Sequence, residues 1–334
     1  VDSACKEAPM RLSTHGAMQN LRDAIEACQS SERPILVGPW LTEIGFEVLY
    51  WIPFLRWVIE SARIDPERLI IVSRGGCRDW YADLGAVRYV DVFDLMSVNA
   101  FRHGNERRVL AQNKKTGRRV RKHFVSGAFD QTIISAVMVH VDIKRTPAVL
   151  HPSLMYQLFR VFWTDGNQEM LDAHTRYRPM ARPPAHGLDL PERYVAVKWY
   201  ASECFPDNAK QRAFVQQTIL TLLDTTDVVL LETGMVFDDH SDLRTNDPRL
   251  HRIKMTPATN LQIQTRVIAG ASALVGTYGG FSYLGPLLGI PTTAYYAKPD
   301  GFRQDHLKLA QALFAHPEHG RFTVAQRIVP AAAA

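Results

Sequence analysis

The chain of 334 residues is 46% hydrophobic and 22% charged, with a formal net charge of +5. That length exceeds one small core and suits two domains, and the composition excludes a chain that is disordered over most of its length. No apolar run approaches the roughly 18 residues needed to cross a bilayer, since Pro53 and Arg56 interrupt the stretch from Trp51 to Ile59.

The stretch "VDSACKEAPMRLSTHG" (1–16) has no apolar core of the signal-peptide kind, so a cytoplasmic location is expected. The four cysteines, Cys5, Cys28, Cys77 and Cys204, lie far apart without CxxC spacing, which predicts free thiols and neither a zinc knot nor a disulfide framework.

In chain order, "RPILVGPW" (33–40) is a short apolar strand, and "GFEVLYWIPFLRWVIESA" (45–62) carries apolar residues at helical intervals. The alternation continues through 68–76, 78–86 and 87–95, where apolar runs end in polar or glycine residues before each turn. A parallel α/β sheet is therefore expected in the first half. Residues 96–128 are polar and poor in apolar period, which predicts an inserted loop or mobile arm. Within it, 102–123 holds nine Lys or Arg against the single Glu106, a local charge of +8 that leaves about −3 for the remainder. Such a segment suits nucleic acid, an anionic membrane surface, a phosphorylated glycolipid, or plain solvation. Aromatic residues stand only at its edges (Phe101, Phe124), unlike the interleaved rings of a single-strand nucleic-acid reader.

Helical text runs over 129–175, and four prolines in 176–192 predict a linker. A fresh alternation follows: strand 193–200, helix 209–226, strand 227–234, helix 260–271, strand 273–280, helix 281–289 and strand 290–297. The expected architecture is α/β, with two Rossmann-like doubly wound domains facing a cleft, at 1–180 and 193–330, joined by a linker at 181–192. Ligands of such sheets sit at the carboxyl ends of the strands.

Gly279 and Gly280 fall where a strand hands over to a helix. Without side chains they admit close approach, and the first free N–H groups of a helix favour an anion such as a diphosphate, to which Ser282 adds a hydroxyl. The same pair also serves a tight turn that packs helix on sheet. Residues 232–242 gather Glu232, Asp238, Asp239, His240 and Asp242, either as a polar loop near a nucleotide or as a solvated one. They have neither EF-hand spacing nor a DxD triplet, so no metal site is expected.

Residues 253–297 resemble the nucleotide-sugar half of GT-B glycosyltransferases, most closely the lipopolysaccharide heptosyltransferase type. Thr256, Leu261, "VIAGASALVGTYGG", "FSYLGPLLG" and "LGIPTTAYYA" follow in the family's order, with Thr277, Tyr278, Gly279 and Gly280 where the family usually has Asp-Ser-Gly. A second likeness lies in "IGFEVLYWIPFLRW", where Ile44, Gly45, Glu47, Pro53, Leu55 and Arg56 match the family's first strand-to-helix junction, with Phe46 as one extra residue.

The resemblance implies transfer of a sugar from a nucleotide-activated donor to a hydroxyl of a glycan or glycolipid, in bacterial surface polysaccharide synthesis and without an essential metal. It makes Glu47 the first candidate for general base, with Glu43 competing from the same loop. Donor-side candidates are Lys198, Lys210, Arg212, Glu232, Thr277, Tyr278, Gly279, Gly280, Phe281 and Ser282; acceptor-side candidates are Gly45, Phe46 and Arg74. No cofactor beyond the nucleotide sugar is implied, and the basic segment implies peripheral contact with the inner membrane. Tyr50, Trp51, Phe54 and Trp57 have helical spacing and are expected in the core, with one ring reaching the acceptor. A GT-B-shaped epimerase or hydrolase, and a nucleic-acid-binding protein using the basic arm, are the alternatives.

Overall fold

The computed structural model describes residues 14–30, 32–85, 87–116, 124–233, 241–243 and 247–327, the side chains of 109–116 and Ser241 excepted. The basic stretch 117–123 and the residues Asp238, Asp239 and His240 lie outside these residues. Among the described residues, no helix is long and apolar enough to cross a membrane.

Two parallel sheets organise the chain, matching the Rossmann-like α/β expectation. The first holds β1 (Ile35–Val37), β2 (Leu69–Ser73), β3 (Arg88–Asp91) and β4 (Ala148–Leu150) in the order β3-β2-β1-β4. Every residue of β1 and β2 is buried, which is why these strands read as unbroken apolar runs rather than as alternation. The second sheet contains β5 (Tyr194–Lys198), β6 (Asp227–Leu230), β7 (His251–Arg252), β8 (Ala273–Thr277), β9 (Thr292–Tyr296) and β10 (Phe322–Gln326). Their order is β10-β9-β8-β5-β6-β7. The order reverses beside β1 in the first sheet and beside β5 in the second, and each reversal opens a crevice at the carboxyl ends of the strands.

Helices cover the sheets: α1 (Thr14–Gln29) and α2 (44–62) belong to the first lobe, as do α3 (Val98–Thr116) and α4 (Ala128–His140). The second lobe has α5 (Ala209–Leu223), α6 (Asn260–Gly270), α7 (280–287) and α8 (Gln304–Phe314). The extended stretch between the lobes docks on α7, with Met180 N–H donating to Leu287 O at 2.7 Å and Arg182 Nε to Leu288 O at 2.6 Å.

α2 has a local cause for its irregularity. Its middle, Glu47–Trp51, is π-helical, and Pro53 follows immediately. Proline cannot donate to the carbonyl four residues before it, so Leu49 O loses its regular partner. The Tyr177 hydroxyl donates to that oxygen instead, at 3.0 Å. A π segment adds backbone to a turn and re-aims the side chains in it. Tyr50, Trp51 and Phe54 then point into the core, with Trp51 stacked between Trp40 (5.9 Å) and Phe54 (5.9 Å).

The structure corrects the expectation of a loop or arm over 96–128. Residues Val98–Thr116 form a helix. Phe101, Gly104 and Arg108, at helical spacing, are its buried stripe. A Cβ on Gly104 would stand 2.2 Å from the Phe129 ring of α4, so glycine is what lets the two helices touch. Arg108 meets the fully buried Asp130 at 3.2 Å, and His151 Nε2 approaches the same carboxylate at 3.5 Å. Burial alone would raise the Asp130 pKa, but His151 and Arg108 outweigh it and hold the carboxyl below its ordinary value. One of the nine basic residues is thus a buried structural partner rather than part of an exposed arm.

Candidate functional site

The carboxyl ends of both sheets look onto one cleft of about 880 Å³. Glu43, Gly45, Phe46 and Arg74 line it from the first lobe; Lys198, Tyr200, Tyr278, Gly279, Gly280 and Phe281 line it from the second, with Arg303 and His306 at one side.

Two helices begin at the same point of this cleft. α2 starts at Ile44 after Glu43, which sits at the N-cap in extended conformation and makes no side-chain cap. α7 starts at Gly280. A Cβ on Gly280 would fall 2.3 Å from the Gly45 backbone nitrogen and 2.6 Å from its Cα, and a Cβ on Gly45 would fall 2.8 Å from Gly280 Cα. Both glycines are therefore required by the contact between the lobes, a purpose that neither sequence stretch reveals alone. The consequence is electrostatic: the positive ends of two helix dipoles meet at one spot, and their first N–H groups have no partner within the helix.

The rest of the junction is held by side chains that do not themselves face the cleft. Ser282 donates to Gly279 O at 2.7 Å, and Thr277 bridges to the Tyr200 backbone, accepting from its N–H at 3.1 Å and donating to its carbonyl at 3.0 Å. These two candidates shape the loop around Gly279 and Gly280 from behind rather than line the cleft. Gly276, paired with Lys198 across β5 and β8, brings the strands so close that a Cβ there would lie 2.0 Å from Lys198 O.

Lys198 reaches the cleft floor. Its ammonium donates to Leu231 O at 2.7 Å and Asp242 Oδ1 at 2.7 Å, and it stands 5.5 Å above the Phe281 ring. Asp242 also accepts from Thr233 N–H at 2.8 Å, so the acidic segment's contribution here is a counter-ion for the lysine. Lys210 and Arg212, placed on the donor side from sequence, are exposed and do not line the cleft; Arg212 is occupied by Asp207 at 2.6 and 2.7 Å. Glu232 is not among the lining residues either.

The two carboxylates of the first lobe separate clearly. Glu43 is exposed and lines the cleft. Glu47, preferred as base from the resemblance, is wholly buried and lies outside the lining. Its Oε1 accepts from Ser73 Oγ at 2.6 Å, Tyr81 OH at 2.6 Å and Cys77 Sγ at 3.6 Å, while Oε2 has no hydrogen-bond partner. Burial raises its pKa, against the opposing pull of Arg74 and the three hydrogen bonds. The π segment that starts at Glu47 turns its side chain inward, so that of the two carboxylates Glu43 is the one that faces the cleft. Arg74 is itself largely buried; it donates to Thr42 O and so braces the loop that carries Glu43.

Contacts across the lobes fix the cleft walls. The carbonyl of Gly75 accepts from the N–H groups of Leu261 (2.8 Å) and Gln262 (3.0 Å), which caps the start of α6 from the opposite lobe, and Trp80 Nε1 donates to Thr265 Oγ1 at 2.9 Å. Gly75 and Gly76 both have φ above +70°, a conformation that glycine adopts without strain.

The sequence reading does not single out Arg303, His306 or Tyr200 as site residues. Arg303 and His306 flank the start of α8, whose apolar period at Leu309, Ala310, Leu313 and Phe314 is the signal that would have revealed the helix. Among the described residues, no group of three or more metal-ligating side chains occurs.

No family model matches the chain, and no curated protein matches it. Among solved structures, it is similar to a family 9 glycosyl transferase from Veillonella parvula at 13% identity, over 89% of this chain and 86% of that one, with a TM-score of 0.42. The E. coli heptosyltransferase WaaC with ADP is similar at 14% identity over 88% and 93%, with a TM-score of 0.44. The E. coli ADP-heptose lps heptosyltransferase II gives 11%, 89% and 91%, with a TM-score of 0.42.

Proposed function

We propose that the protein is a glycosyltransferase that moves a sugar from a nucleoside diphosphate donor to the hydroxyl of a glycan or glycolipid acceptor. The observation that carries this reading is the meeting of two helix starts at Gly45 and Gly280, at the chain-order reversals of both sheets. A diphosphate beside that junction faces two dipole ends, with the Lys198 ammonium on the floor of the same cleft. As the bond from the anomeric carbon to the phosphate oxygen breaks, charge grows on the diphosphate, where the first N–H groups of the two helices stabilise it. The acceptor oxygen bonds to the anomeric carbon and gives its proton to Glu43, the carboxylate that faces the cleft from the first lobe. The product has inverted anomeric configuration. Synthesis of a bacterial surface polysaccharide, with the basic segment of 102–123 resting on an anionic membrane, is the setting that fits this acceptor class.

The test is a thermal-shift panel of nucleosides and their mono- and diphosphates. A diphosphate at 100 times its dissociation constant is expected to add about 2.7 kcal/mol of stability, and the matching nucleoside much less. A panel in which diphosphates stabilise no more than nucleosides overturns the reading.

A further inference from the structure

On one side of the cleft, α2 and α8 come together through rings. Phe46, in the first turn of α2 and one turn on from Glu43, packs edge-on against His306 at 4.9 Å and Trp163 at 5.5 Å. Tyr50, one turn further, stands 5.3 Å from both His306 and Trp163. Two polar atoms of this group, Arg303 Nε and His306 Nε2, are buried without a hydrogen-bond partner on residues that line the cleft, while Tyr50 and Trp163 turn their polar atoms to each other behind them. Buried polar groups of folded proteins are usually paired, because a bare one keeps its full desolvation cost. Two of them among aromatic rings at the wall of a cleft call for a ligand that brings hydrogen bonds of its own.

The charge of the cluster narrows the ligand's chemistry. Arg303 is offset by Asp305 at 2.5 Å, and burial, reinforced by Arg303, pushes His306 down to about 4, so its ring is neutral at ordinary pH. A phosphate or carboxylate gains no net cation here. An uncharged ring with hydroxyls and an apolar face matches both the aromatic surface and the mixed donors and acceptors.

We infer that Phe46, Tyr50, Trp163, Arg303 and His306 form a subsite for an uncharged pyranose of the acceptor, stacked on Phe46 and hydrogen-bonded by Arg303 and His306. This rests on the glycosyltransferase reading for its purpose. Its location has a functional corollary, since a sugar on Phe46 lies one helical turn from Glu43 and so sets which hydroxyl meets the base. Phe46, Arg303 and His306 line the cleft itself, and Tyr50 and Trp163 back them.

The experiment is a glycan array of neutral, sialylated, sulfated and phosphorylated oligosaccharides probed with the full chain, with solution titration of the best neutral binder. Neutral glycans are expected to dominate, and both Phe46→Leu and His306→Phe are expected to weaken the titrated glycan about tenfold or more while keeping the wild-type melting temperature. His306→Phe keeps an aromatic ring at this position and removes both ring nitrogens, so a loss in that variant at the wild-type melting temperature reports their hydrogen bonding. Preference for the charged glycans, absence of any neutral binder, or unchanged titrations in both variants would each overturn the subsite. Nucleoside diphosphate binding is scored separately: its failure with glycan binding still localised to Phe46 sinks the donor reading and leaves the subsite standing.

Discussion

Glu43→Gln is expected to lower sugar transfer by about 10²- to 10⁴-fold, the usual contribution of a positioned general base, while nucleoside diphosphate affinity stays within about twofold. Glutamine keeps the shape of the side chain but has no basic oxygen for the acceptor's proton. Glu43 is exposed at the mouth of α2, and glutamine fits the same space there. The parallel Glu47→Gln variant sharpens the result. Its remaining carbonyl oxygen still accepts from Ser73 and Tyr81, and the new amide occupies the place of an oxygen that has no partner. Transfer by Glu47→Gln is therefore expected to stay within about tenfold of wild type, an effect on packing rather than on proton removal. Release of nucleoside diphosphate from the donor, followed with saturating acceptor, distinguishes the two. Collapse of Glu47→Gln with full activity in Glu43→Gln would restore the buried carboxylate as base.

Gly280→Ala is expected to weaken nucleoside diphosphate binding by about 10- to 100-fold and to depress transfer with it. The added methyl would lie 2.3 Å from the Gly45 nitrogen, and that obstacle is backbone, so it cannot rotate away. Relief requires α2 and α7 to separate, at a cost of about 1–3 kcal/mol, the range measured for overpacking, which corresponds to the stated loss when it is borne by the bound state. Gly45→Ala probes the same contact from the other lobe, with its Cβ 2.8 Å from Gly280 Cα, and is expected to act in the same direction. Titration calorimetry with the stabilising diphosphate reads both. Wild-type affinity in the two variants would mean that the junction plays no part in binding the anion.

What could be read in the sequence follows from where the information is local. The central strands are buried on both faces, so "RLIIV" and "YVAV" declare themselves as apolar runs between turns. β4 has only three residues, and it was absorbed into neighbouring helical text. α3 reads as an arm because, among its described side chains, the buried ones are Phe101, Gly104 and Arg108, two of which carry no hydrophobic signal. The glycine pair was visible as a break in side chains, but its partner Gly45 lies 235 residues away and only the fold joins them. Glu47 and Glu43 looked alike in one dimension. A π segment, Pro53 and the Tyr177 hydroxyl, contributed from outside the helix, decide which of them faces the cleft. His306 was hidden for a similar reason, since neither its neutral state nor its contact with Phe46 has any local mark.

The most direct measurement is a crystal structure of the full chain with the nucleoside diphosphate that stabilises it most. The expected result is a β-phosphate beside the Gly45–Gly280 contact, its oxygens about 3 Å from the backbone nitrogens at the start of α7. A diphosphate seated elsewhere, with the amides of Gly280 and Phe281 turned to other partners, would contradict it.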